Sequence, residues 1–317
     1  MSEFDHDESG HDASRRKALG CLAAWTGAAV LWNVAGGVPR ALGMTSNGTL
    51  QTAPANSLTF VQISDTHIGF NKPANPDVVG SLRRAIADIN ALPQRPAFVV
   101  HTGDISHLSR ADQFGQAREI FKEIRVDRLH TVPGEHDAID DGVNGYLKFF
   151  GTDGRGRAWY SYNQGGVHFI GLVNVLNLKA GGLGSLGDEQ LEWLEDDVRH
   201  LKASTPIVVF AHIPLWTIYP QWGWGTDDSA RALSYLKRFG SVSVLNGHIH
   251  QIMQKVEGNV TFHTAYSTAF PQPAPGTADG PGPMKVPAEQ LRSVLGVSDV
   301  NFVRKHHSLA VTDSTLA

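Results

Sequence analysis

Five short clusters in this chain carry residue types that hold metal ions and move protons. They are Asp65-Thr66-His67, Gly103-Asp104, Gly134-Glu135-His136-Asp137, Ala211-His212 and Gly247-His248-Ile249-His250. Besides Asp137 they offer three acids, Asp65, Asp104 and Glu135, and five histidines, His67, His136, His212, His248 and His250. Imidazole together with carboxylate suits iron, manganese, zinc and similar ions. These eight groups exceed what one ion takes. Two ions sharing one carboxylate would use all but one of them and leave the last for chemistry. In Asp-x-His and His-x-His, alternate residues of an extended chain point the same way, so both members can face one site.

Each cluster follows an apolar run that reads as a buried strand. The runs are Leu58–Ser64, Phe98–Thr102, Leu129–Val132, Ile207–Ala211 and Val242–Leu245. Helical periodicity falls between them, at Asp77–Leu92, Asp188–Leu201 and Asp228–Phe239. Near-continuous apolar strands separated by helices predict a buried sheet covered by helices. Trp159–Tyr162 and Val167–Val173, joined through Asn163-Gln164-Gly165-Gly166, read as a hairpin, so the architecture is not purely parallel. In open α/β sheets ligands bind beyond the carboxyl ends of the strands. The five clusters are therefore expected on one rim, with Gly103, Gly134 and Gly247 permitting sharp exits from their strands. His101 lies within a strand and is expected to pack or to support the site, with Asn246 and Ser64 as candidate partners of the ligands. The segment Leu215–Trp224, with three of the seven tryptophans, is expected either to wall the site or to pack on itself.

The order and content of these motifs, spanning residues 65–250, resemble the calcineurin-like metallophosphoesterases. The resemblance implies an α/β protein built as a four-layer α/β/β/α sandwich with two mixed β-sheets. It implies that Asp65, His67 and His250 hold one metal ion, that Asp104 bridges, and that Glu135, His212 and His248 hold the second. Iron, manganese or zinc is expected. His136 would assist the leaving group or the developing phosphoryl charge, with Asp137 behind it. The implied function is a dinuclear metal-dependent hydrolase of small phosphoesters, a phosphatase or phosphodiesterase, with a metal-bridging hydroxide as nucleophile. Two other classes stay open: a catalytically retired metal-binding envelope protein, and a metallohydrolase of a non-phosphate ester. One departure stands out, since the family usually has Asn where this chain has Glu135. An ionised Glu135 lowers the positive charge of the site. That favours either a trivalent ion beside a divalent one or a singly charged diester substrate, unless Glu135 points away.

Composition narrows the remaining classes. The chain has 317 residues and a formal charge of −4, which argues against a basic nucleic-acid-binding face. Its single cysteine, Cys21, excludes a disulfide framework, a zinc ribbon and a cysteine nucleophile in the domain. Residues 1–43 are expected to be a disordered N-terminus followed by a secretory signal. Ser14-Arg15-Arg16-Lys17 immediately precedes the apolar run Ala18–Trp32, resembling a twin-arginine export motif with Ala18 where that motif prefers Phe. At 15 residues the run is short of the roughly 20 needed to span a bilayer. Export by the twin-arginine machinery to the periplasm or beyond is the expectation, with cleavage between Ala35 and Met44. Residues 44–56 read as a linker, 57–269 as the metallophosphoesterase domain and 270–317 as a Pro/Gly-rich tail whose apolar stretches pack on the domain or add a strand.

Overall fold

The computed structural model describes residues 29–35, 38–44, 57–151, 156–303 and 309–317. The chain divides into two units, Met1–Thr52 and Ala53–Ala317. In the first, β1 (Ala29–Ala35) and β2 (Val38–Met44) pair antiparallel, with Ala29 opposite Met44 and Ala35 opposite Val38. This hairpin covers part of the stretch expected to be a leader. Arg15, Arg16, Cys21 and the first part of the apolar run lie outside the described residues, as does most of the 44–56 linker.

In the second unit, strand residues alternate between two apolar environments. Phe60 of β3 (Ser57–Ile63) and Val100 of β4 (Val99–His101) join one cluster, while Val61, Ile63 and Val99 join another. Likewise Val208 and Phe210 of β8 (Ile207–Phe210) face the first cluster, and Ile207 and Val209 face a third. Side chains of a strand point alternately to its two faces, so both faces of these strands are covered.

The covering layers follow from that pattern. The sheet order β13-β12-β3-β4-β5 includes β5 (Leu129–Thr131), β12 (Gly296–Val303) and β13 (Leu309–Thr315). Its outer face packs on α1 (Val78–Asn90) and α2 (Ala111–Phe121) through Leu82, Ala85, Ile86, Phe114 and Ala117. The other sheet runs β10-β11-β9-β8-β7-β6. It adds β6 (Tyr160–Gln164), β7 (Val167–Gly171), β9 (Val242–Asn246), β10 (Gln254–Glu257) and β11 (Val260–Thr264). A short helix, α3 (Asn144–Phe150), precedes β6; α4 (Asp188–Arg199) and α5 (Ser229–Leu236) cover the outer face of the second sheet through Leu191, Leu194, Ala232 and Leu236. Phe60, Phe98, Phe169, Phe210 and Val300 fill the space between the sheets. Both sheets mix parallel and antiparallel pairs, which makes a helix–sheet–sheet–helix sandwich.

Three local results refine the sequence reading. The hairpin turn is the two residues Gly165-Gly166, with φ of 61° and 86°, so the strands run on to Gln164 and Val167. Positive φ at both turn positions matches the strand twist in a tight turn and costs glycine little. The helix Ala111–Phe121 lies in a stretch where the sequence reading named none. Residues beyond 269 are part of the fold: β12 pairs antiparallel with β3, and Phe270, Val300, Phe302 and Leu316 are buried. The boundary expected at 269 therefore does not divide the unit. Among the described residues no helix is long and apolar enough to cross a membrane.

Candidate metal centre

The five clusters do meet at the carboxyl ends of β3, β4, β5, β8 and β9, and backbone hydrogen bonds lock their loops together. Asp65 N–H donates to Gly103 O at 3.0 Å, His67 N–H to Asp104 O at 2.9 Å, and Gly247 N–H to His212 O at 3.0 Å. Asp65, His67, Asp104, His248 and His250 have φ of 53°, 42°, 55°, 70° and 55°. Among the described residues the only other non-glycine with positive φ is Ser109. Left-handed backbone at a non-glycine costs about 1–3 kcal/mol and persists where surrounding contacts over-determine it. Asp and His tolerate it better than β-branched residues do. Glycine serves two purposes here. Gly103 has φ of 100°, a left-handed exit. Gly134 is extended, and a Cβ there would collide with the Asp104 carboxylate.

Two groups of donors result. In the first, His250 Nε2 lies 3.3 Å from Asp65 Oδ1 and 3.3 Å from His67 Nε2. In the second, Glu135 sends Oε2 to within 2.8 Å of His212 Nε2 and Oε1 to within 2.9 Å of His248 Nδ1. Asp104 Oδ2 stands between them, 3.5 Å from both His67 Nε2 and His212 Nε2. Each residue named from sequence as a metal ligand is thus in this cluster, and Glu135 points inward.

The donor set fits metal ions. Glu135 Oε2, His212 Nε2 and both ring nitrogens of His248 are buried and make no hydrogen bond, although the Glu135 oxygens are close to the two imidazoles. The atoms converge without hydrogen-bond alignment, and an unsatisfied buried polar group costs about 1–3 kcal/mol. Cations between them would satisfy Glu135 Oε2, His212 Nε2 and one nitrogen of His248, whose other nitrogen carries the ring proton. The outer nitrogens are set for this. His212 Nδ1–H donates to Thr102 O at 2.7 Å, and His250 Nδ1–H donates to Phe270 O at 2.5 Å. Each leaves Nε2 as the lone-pair nitrogen facing the site. Burial opposes ionisation of Glu135, but His248 and His212 outweigh it and hold the carboxyl well below its ordinary range.

His136 is partly exposed at the edge of the cluster. Its Nδ1–H donates to His107 O at 2.7 Å and its backbone N–H to Asp104 Oδ1 at 2.9 Å. Burial disfavours its charged form, yet Asp104 and Glu135 raise its pKa above the ordinary value. Asp137 does not stand behind the His136 ring as expected. It is buried and accepts from Gly134 N at 3.0 Å, Ile105 N at 3.0 Å, Ser106 N at 2.7 Å and Ser106 Oγ at 2.8 Å. The short 3-10 turn Glu135–Asp137 directs consecutive side chains apart, so Asp137 pins the Asp104 loop while His136 faces the site. Burial, then Asp104, pushes the Asp137 carboxyl up to about 6.

His101 supports the same loops. Gly103 N–H donates to His101 Nδ1 at 3.1 Å, which places the proton on Nε2, 3.2 Å from Thr66 Oγ1. Burial pushes this imidazole down to about 3. Neither Asn246 nor Ser64 partners a ligand nitrogen. Asn246 Nδ2 donates to Ala211 O at 2.8 Å, and Ser64 Oγ accepts from Thr102 Oγ1 at 2.7 Å. The aromatic loop packs Tyr219, Trp222 and Trp224 on one another and on Ile249 and Met253, while Trp216 lies against Phe262. Two more residues reach the centre: His107 flanks the Gly103-Asp104 motif in sequence, whereas Phe270 had no sequence signal. The His107 ring stacks on His136 at 4.8 Å, and the Phe270 ring lies 4.7 Å from His67 and 4.8 Å from His250.

Comparison with known proteins bears on the family and the fold. The model of the calcineurin-like phosphoesterase family matches residues 58–252. A probable glycerophosphodiester phosphodiesterase GpdQ of Arcobacter nitrofigilis is 26% identical over 163 residues, covering 50% of this chain and 57% of the relative. The match therefore spans little more than half of that relative's length. The serine/threonine-protein phosphatase CPPED1 of Danio rerio is 25% identical over 224 residues, 61% of this chain and 70% of the relative. Among solved structures, a dimetal phosphatase from Danio rerio superposes with a TM-score of 0.62 at 15% identity, covering 82% of this chain and 96% of its own.

Proposed function

The chain belongs to the calcineurin-like phosphoesterase family, and from that premise we propose that it is a dinuclear metal-dependent hydrolase of small phosphoesters. The observation that carries this reading is the position of Asp104 Oδ2, equidistant from a nitrogen of each donor group. Asp65, His67 and His250 would hold one ion, Glu135, His212 and His248 the other, and Asp104 both. Such ions neutralise phosphoryl charge and lower the pKa of a water. The chain's own residues do the rest. Thr102 O and Phe270 O orient two of the imidazoles. The His136 Nδ1–H is committed to His107 O, so Nε2 is its free nitrogen, and the raised pKa favours a proton there for a departing oxygen. Relatives named as diesterases and as protein phosphatases leave both substrate classes to be tried. Chelated protein should be inactive, and adding back iron, manganese or zinc should restore hydrolysis in a panel of phosphomonoesters and phosphodiesters. Equal rates with and without chelator would refute the reading.

Export by the twin-arginine route is also proposed, supported by Ser14-Arg15-Arg16-Lys17 ahead of the apolar run. Changing Arg15 and Arg16 to Lys should retain the protein inside the cell. Undiminished export of that double variant would count against the route.

A further inference from the structure

The imidazoles of His212 and His250 are held from behind by carbonyl oxygens, but His67 is held by another histidine. His67 Nδ1 lies 3.4 Å from Nδ1 of His107, with the two rings edge to face at 5.5 Å. His107 is itself well fixed. Its backbone N–H donates to Ile68 O at 3.0 Å, and the Phe70 ring meets it edge-on at 5.2 Å. The same His107 ring lies within 17° of parallel to His136, and its carbonyl accepts the His136 Nδ1–H. One residue therefore touches both a candidate ligand and the candidate acid.

The direction of one hydrogen bond decides what His67 can do. A neutral imidazole carries one proton, so one ring nitrogen donates and the other accepts. If His107 donated to His67 Nδ1, the His67 proton would sit on Nε2, the nitrogen that faces Asp104 and His250. That nitrogen would then be unable to bind a metal ion. If His67 donates instead, its Nε2 lone pair is free, and His107 is the tautomer with its proton on Nε2.

We propose that His107 is a positioning residue of the metal centre: it accepts the His67 Nδ1–H, leaves His67 Nε2 free for a metal, and holds His136 beside His67 through its carbonyl and its ring. This rests on the dinuclear reading given above. Removing the partner behind a ligating imidazole typically weakens metal binding about 10–100-fold. An amide can replace the acceptor, because Asn Oδ1 occupies nearly the place of His Nδ1; a phenyl ring keeps the stacking and offers no acceptor.

The test uses full-length wild type, His107→Phe and His107→Asn, each first shown to be folded by its unfolding transition. Manganese or zinc is titrated against a competing chelator, and bound metal is counted. His107→Phe should bind one of two ions at least about tenfold more weakly, while His107→Asn stays within a few-fold of wild type. Wild type loaded with two ions and His107→Phe loaded equally tightly would overturn the role of His107 alone. The role would also fall if His107→Asn lost as much affinity as His107→Phe. Wild type that never takes up two ions would overturn the dinuclear reading itself.

Discussion

His250 Nδ1–H donates to the carbonyl oxygen of Phe270 at 2.5 Å, which ties a candidate metal ligand to a residue beyond the last sequence motif. The Phe270 ring completes the tie, packing on His250, His67 and Phe70. Phe270 is 3% exposed, so its truncation leaves a cavity against the metal centre. Phe270→Ala should cost about 3 kcal/mol or more in urea unfolding. It should also loosen the ion at Asp65, His67 and His250 more than the ion at Glu135, His212 and His248. Equal loss at both positions would mean that the ring acts on the fold as a whole.

On the proposed dinuclear reading Asp104 is shared by both ions, so its removal should differ from removal of a residue belonging to one donor group. Asp104→Ala should keep the secondary structure and remove nearly all activity. Counting bound metal should show loss at both positions, whereas His250→Ala should spare the second. A variant that still binds two ions would show that Asp104 is no bridge.

Glu135 adds a third carboxylate to Asp65 and Asp104, and it is held well below its ordinary range chiefly by His248 and His212 against the opposing effect of burial. Extra negative charge in this low-dielectric site disfavours a doubly charged monoester relative to a singly charged diester. Glu135→Asn should raise the monoester-to-diester rate ratio several-fold, or shift metal preference from trivalent toward divalent ions. A variant unchanged in both ratio and metal content would leave the charge argument empty.

His130 lies within β5, stacked on Tyr162 at 4.0 Å. Burial, then Arg128, pushes its pKa down from 6.5 to about 4. The unfolded chain therefore binds a proton below pH 6.5 that the folded chain refuses until about pH 4. Stability from this group is present above 6.5 and is lost as pH falls through that window. His130→Phe should flatten the acid limb, losing about 2–3 kcal/mol less than wild type between pH 7 and pH 4 in urea unfolding. Parallel limbs in the two proteins would refute this.

Much of the centre was legible in the sequence because donor identity is local. An apolar run ending in Gly-Asp or in His-x-His announces a strand whose carboxyl end carries ligands, and Asp65, His67, Asp104, Glu135, His212, His248 and His250 do share one site. The layered α/β architecture followed for the same reason, since period-two and helical patterns are properties of short windows. Orientation is not local. The left-handed backbone of five candidate ligands is imposed by bonds between loops, such as Asp65 to Gly103. His212 is aimed by Thr102, 110 positions away, and Asp137 serves a loop that begins 33 residues earlier because a 3-10 turn parts it from His136. Residues 270–317 read as a tail because prolines and glycines hide their periodicity, yet β12 pairs with β3 at the other end of the domain. Residue types name the available chemistry; which nitrogen faces the ion depends on contacts between segments that meet only in the folded chain.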